Sequence, residues 1–123
     1  MGHDISEASI LRGLGSTGIS EIRASGRKRR VAKGEALFLE GAPGDEFFIL
    51  LKGMIRLGKS SEDGREITVK IISPPENFAE TILFESDRYP VSALAVEDSE
   101  VFALSRGTFF RLLEKRAFRD EFI

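Results

Sequence analysis

The chain has 123 residues, 41% hydrophobic and 31% charged, with a net charge of −2, the balance of one ordinary globular domain without the basic excess of a nucleic-acid-binding surface. It has no cysteine and one histidine, which excludes disulfides, thiolate zinc sites, Cys-held iron–sulfur clusters and multi-imidazole metal centres within these residues. No apolar run approaches the roughly 18 residues of a membrane span, and the start, MGHDISEAS, has neither the basic nor the apolar region of a signal peptide, so a cytoplasmic protein with no membrane association is expected.

Residues 6–25 read as one or two short helices. Ile10, Leu11 and Leu14 form an apolar group, and Ile19 and Ile22 follow at helical spacing, with Gly13, Gly15 and Gly18 weakening the run. Ser16 or Thr17 is the expected N-cap of the second piece and Gly26 its end. His3 precedes them in a terminal stretch expected to be mobile. Arg27 to Arg30 then read RKRR, with Lys33 beyond. This is either a patch for nucleic acid or another anionic partner, or a solvated strand whose charges discourage edge pairing. The lack of interleaved aromatics and the negative overall charge favour the strand.

From Ala36 to Leu104 the signals are almost all β. The segment KGEALFLEGAPGDEFFILLKG holds two apolar runs with Gly34, Gly41, Gly44 and Gly53 at the corners, where the φ > 0 geometry open to glycine lets strands fold back on one another. In MIRLGKSSEDGREITVKIIS, Ile55 and Leu57 alternate with Arg56, and Ile67, Val69 and Ile71 alternate with Thr68 and Lys70. Asp63-Gly64 between them marks a tight hairpin turn, and one face of the hairpin is expected to be apolar and inside, the other wet. Pro74-Pro75 stops that strand, and NFAETILF reads as a short helical turn whose first N–H groups suit an anion. VSALAVEDSEVFAL gives two more strands joined at Glu97-Asp98-Ser99. From about Ser105 a helix carries Phe109, Phe110, Leu112 and Leu113 on an apolar face, continued by Ala117, Phe118 and Phe122. No C-cap glycine or terminating proline follows before Ile123, so the natural protein is expected to continue. Phe47, Phe48, Phe78, Phe84 and Phe102 are expected core residues.

Taken in order, KGEALFLEGAPGDEFFILLKG, DGREITV, the FAE at Phe78-Ala79-Glu80 and SALAVEDSEVFALSRGTFFRLL resemble the effector domain of the Crp/Fnr regulators and related cyclic-nucleotide-binding domains, over about Ile10 to Phe122. The resemblance implies a mainly β fold, an eight-stranded double-stranded β-helix of the jelly-roll kind with flanking N- and C-terminal helices. Residues 1–25 would be an N-terminal helical segment, 26–104 the effector-sensing roll, and 105–123 the start of a dimerisation helix. It implies a sensor of a small-molecule effector and not an enzyme. DNA and RNA polymerase would be engaged only through a helix-turn-helix domain absent from this chain, in a full-length homodimer. The alternative is a cyclic-nucleotide-binding module that stands alone or is attached to a channel or kinase. A cupin-like enzyme on the same roll fails for want of metal ligands.

The family's pocket, as the resemblance implies, is a Gly-Glu, a short helix, then Arg and a small residue on the next strand. A buried cyclic phosphate needs a cation and N–H donors, while the glutamate accepts from the ribose hydroxyl. The corresponding candidates are Phe78, Ala79, Glu80, Thr81, Arg88, Tyr89, Pro90 and Val91; no catalytic or metal-binding residue is assigned. Glu80 matches the glutamate and Ala79 stands where glycine is usual. Counted without gaps from Glu80, Tyr89 holds the arginine position, with Pro90 beside it. Arg88, one residue earlier, would face away by strand alternation, and Pro90 offers no backbone donor. Weak or absent cyclic AMP binding is the expectation. The cofactor stays open between a cyclic nucleotide and, in the full-length protein, a haem as in the nitric-oxide-responsive branch, with His3, Met54 and Tyr89 the candidate axial ligands of this chain. Each candidate also has a plainer reading: Glu80 as a helix-start carboxylate, Arg88 as a solvated loop residue, Tyr89 as core packing with its hydroxyl at the rim.

Overall fold

A strand that must be covered on both faces reads as an unbroken apolar run, and Phe47 to Leu51 is such a run. In the computed structural model, which describes residues 2–121 and side chains within 2–115, it is the centre of β3 (Glu46–Lys52). Phe48 and Leu50 face a core between two sheets, whereas Phe47, Ile49 and Leu51 face a second core under the helices. Its partner β8 (Ser99–Ser105) divides in the same way, Val101 and Ala103 inward, Phe102 and Leu104 outward. The remaining strands are β1 (Arg27–Val31), β2 (Ala36–Phe38), β4 (Ile55–Ser60), β5 (Glu66–Ile72), β6 (Asn77–Phe78) and β7 (Ser92–Ala95).

They form two four-stranded antiparallel sheets, ordered β1-β8-β3-β6 and β2-β7-β4-β5, the jelly roll expected from the sequence. Helix α1 (Ser16–Ser25), the single-turn α2 (Thr81–Phe84) and α3 (Arg106–Glu121) flank the roll, with two 3₁₀ turns at Ile5–Glu7 and Ser9–Leu11. Ile5, Ala8, Leu11, Ile19, Ile22 and Phe109 close the outer core. Ser105 caps α3 by accepting from Thr108 N at 3.2 Å. The expected apolar positions Ala117, Phe118 and Phe122 lie outside the described side chains. No helix among the described residues is long and apolar enough to cross a membrane.

The basic run is the edge strand β1, solvated as the sequence favoured; Arg27 and Arg29 reach Glu46 at 3.7 and 3.8 Å, and Lys28 reaches Glu100 at 3.9 Å. Several local expectations need correction. Helix α1 follows Gly15 with no side-chain cap, so neither Ser16 nor Thr17 caps it. His3 is anchored, its N–H on Leu51 O at 2.8 Å and its ring on Glu7. Phe84 is 73% exposed and, among the described rings, touches only the edge of Phe110. Gly34, Gly41 and Gly53 have positive φ, but Gly44 does not; its purpose is close approach, described below.

The largest departure is the β4–β5 hairpin. Ile55 pairs with Ile72, and Arg56 with Ile71, so Ile72 is the residue of β5 that reaches the core. Ile67, Val69 and Ile71 share the opposite face and are 53%, 57% and 43% exposed. Alternation was present, but the two strands carry their apolar residues on opposite faces. The adjacent pair Ile71-Ile72 leaves the inward face undecided in sequence, and pairing with Ile55 decides it.

Candidate functional site

The turn from β6 into α2 and the approach to β7 border one hollow. One backbone ladder builds it: Tyr89 N donates to Ala42 O at 3.0 Å and Gly41 N to Tyr89 O at 2.7 Å, while Gly44 N reaches Asp87 O at 2.9 Å. This zipper turns Tyr89 into the roll, where it is 6% exposed. A Cβ on Gly44 would lie 2.1 Å from the Tyr89 ring, so only glycine lets the ring lie flat against that loop. Tyr89 stacks on Phe38 at 4.0 Å, and Phe38, Phe48 and Phe78 continue the pile at 5.5–6.4 Å. Four rings therefore form one stack within the core between the sheets. The Tyr89 hydroxyl donates to Glu46 O at 3.0 Å. Burial pushes its pKa above the ordinary 10.0, and the Glu46 and Asp45 carboxylates add to the shift.

What stays open is a cavity of about 120 Å³ lined by Phe38, Leu57, Ala79, Glu80, Thr81, Tyr89, Pro90 and Val91. Six of the eight candidates from the sequence line it. Phe78 is behind the wall, in the ring pile. Arg88 is outside and exposed, its guanidinium donating to Gly41 O at 2.8 Å, in agreement with the alternation argument. Among the described residues, no lysine or arginine lines the hollow. At the start of α2, Ile82 N and Leu83 N already donate to Ala79 O and Glu80 O at 3.3 and 2.9 Å. Ala79 adopts φ +67°, a left-handed conformation that glycine takes without the Cβ penalty.

The residues do not fit the two groups the fold brings to mind. A cyclic phosphate would enter a hollow of about 120 Å³ and meet Glu80, with no lysine or arginine among the described lining residues. For a haem, His3 and Met54 do not line the hollow, and Tyr89 commits its hydroxyl to a backbone carbonyl. A larger surface trough of about 450 Å³ lies at Arg30, Glu35, Lys52, Asp98 and Glu100. Its Glu35 and Asp98 are already used by the backbone N–H groups of Ala32 and Lys33.

Two residues were missed in the sequence. Asn77 accepts on Oδ1 from Ser9 Oγ and Ile10 N, both at 3.0 Å, and its amide nitrogen donates to Glu80 Oε1. It therefore orients Glu80 from the N-terminal segment. Arg106 donates through N to Asp45 O at 2.6 Å, and through Nη1 to Ile82 O at 3.0 Å and Ser86 O at 3.5 Å. It holds the carbonyl end of α2 from the first turn of α3. A cation there opposes the helix dipole, a sequence signal that Arg106 serves another element. Asn77 gave no such signal, since the donors to its Oδ1 lie 67 and 68 positions away.

The sequence matches the cyclic nucleotide-binding domain over residues 28–116. The anaerobic regulatory protein of Bacillus subtilis (strain 168) is 33% identical over 98 residues, which cover 78% of this chain and 41% of that protein. The N-terminal domain of a transcriptional regulator from Streptomyces coelicolor A3(2) superposes with a TM-score of 0.81 at 30% identity, covering 88% of this chain and 76% of that one. The catabolite activator protein of Thermus thermophilus gives a TM-score of 0.81 at 27% identity, over 88% of this chain and 51% of its own. The chain spans less than half the length of the Bacillus protein.

Proposed function

We propose, for a chain that belongs to the cyclic nucleotide-binding domain family and whose relatives include transcription regulators of the Crp/Fnr type, that it is the effector-sensing part of such a regulator and responds to an effector other than cyclic AMP. The observation that carries this reading is the common hollow bordered by both Glu80 and Tyr89; on this reading the phenol ring stands where the family has its cation. On this reading residues 26–104 sense and 105–123 begin the dimerisation helix, with a helix-turn-helix domain beyond Ile123. The protein is cytoplasmic, acts as a homodimer on DNA and RNA polymerase, and has no enzymatic activity of its own.

Signal transfer is a population shift, and the effector can bias it only by binding one arrangement better than the other. Helix α2 suits that role because Glu80 at its start faces the hollow while Arg106 of α3 grips its end. The reading is tested on the intact gene product. Sedimentation and DNA gel shifts are expected to show a dimer that binds promoter fragments. A full-length protein that stays monomeric and binds no DNA overturns the regulator assignment and favours a signalling module of another kind.

A further inference from the structure

The hollow has a size, a lining and a charge, and together they describe an occupant. Its volume of about 120 Å³ is close to that of the roughly 150 Å³ apolar cavity that takes up benzene. It is well below the roughly 300–1,000 Å³ of sites for nucleotide-sized ligands. Phe38, Leu57, Pro90 and Val91 make the wall apolar, with the Tyr89 ring beside them. The charged side chain of the lining is Glu80, whose Oε1 is held by Asn77. The nearby Arg88 is turned outward onto Gly41 O, so an anionic ligand would meet a carboxylate without compensation.

We infer that the hollow binds a single-ring aromatic molecule that is neutral or cationic and carries one hydrogen-bond donor, a phenol or arylamine, with Glu80 as the acceptor. This rests on the reading of the hollow as the effector site and adds the chemical class of the effector. A ring of this size fills the space the four-ring pile leaves, and its donor finds the one full acceptor charge in an otherwise apolar lining.

The test titrates phenol, benzoate and cyclic AMP separately into the isotope-labelled chain, following the methyl signals of Leu57, Thr81 and Val91 by NMR. Phenol is expected to shift these signals saturably, and benzoate, of similar size but anionic, is not. Glu80→Gln should weaken phenol about tenfold, the loss of a hydrogen bond to a charged group, and strengthen benzoate. Val91→Leu, which narrows the hollow without touching Glu80, should also abolish phenol binding. Phenol shifts that never saturate, or benzoate binding as tight as phenol, overturn the ligand class and leave the regulator reading standing. Cyclic AMP shifting the same methyls at micromolar concentration overturns both this inference and the non-nucleotide reading beneath it.

Discussion

Gly44→Ala tests the packing on which the hollow depends. The new methyl would sit 2.1 Å from Tyr89 Cε2, 2.3 Å from Cζ and 2.6 Å from the hydroxyl oxygen, so the ring must leave its place. Leaving it breaks the hydroxyl bond to Glu46 O and the stack on Phe38. The hydrogen bond is worth about 1 kcal/mol and the stack about 0.5–1.5 kcal/mol. A loss of about 2 kcal/mol follows, within the roughly 1–3 kcal/mol usual for overpacking. Urea unfolding followed by circular dichroism measures it. Tyr89 is the sole tyrosine of a chain without tryptophan, so tyrosine emission reports the ring directly and should move toward the solvated value. Tyr89→Ala alone should cost about 3–5 kcal/mol. In that background Gly44→Ala should cost little, because the clash has gone. A double mutant whose cost equals the sum of the two singles refutes the contact.

Other expectations follow from single contacts. Ultraviolet titration of Tyr89 should give a midpoint above the ordinary 10.0; because the folded state favours the neutral phenol, stability is unaffected below about pH 10 and falls as pH rises beyond it. Ala79→Gly, which relieves the positive φ, should stabilise the fold by up to about 1 kcal/mol in urea. Arg106→Gln should cost about 1–2 kcal/mol and raise hydrogen exchange around α2, since the carbonyls of Ile82 and Ser86 lose their donor. Val69→Thr, on the exposed face of β5, should change stability by less than about 0.5 kcal/mol.

Much of the roll was legible in the sequence because its strands carry local signals. The FFILL run announces a strand covered on both sides, and Asp63-Gly64 lies in the turn between β4 and β5. Counted from the family's pocket pattern, strand parity turned Arg88 away from the pocket, and its bond to Gly41 O agrees. What stayed hidden depends on contacts between distant residues. The pair Ile71-Ile72 left the inward face of β5 undecided until Ile72 met Ile55. Gly44 looked like another φ > 0 corner, whereas its role is to admit a ring 45 positions further on. The resemblance to the family placed Glu80 and Tyr89 at the same hollow, but the sequence held no sign that Phe38 would stack on Tyr89 and line that hollow with it.

Calorimetry with cyclic AMP probes the central claim most directly, which is that a phenol ring has taken the cation's place in the effector pocket. Wild-type chain should give no saturable heat, and Arg88→Ala should behave identically. Micromolar binding that disappears in Arg88→Ala would show the guanidinium reaching the phosphate after all, and would contradict the account.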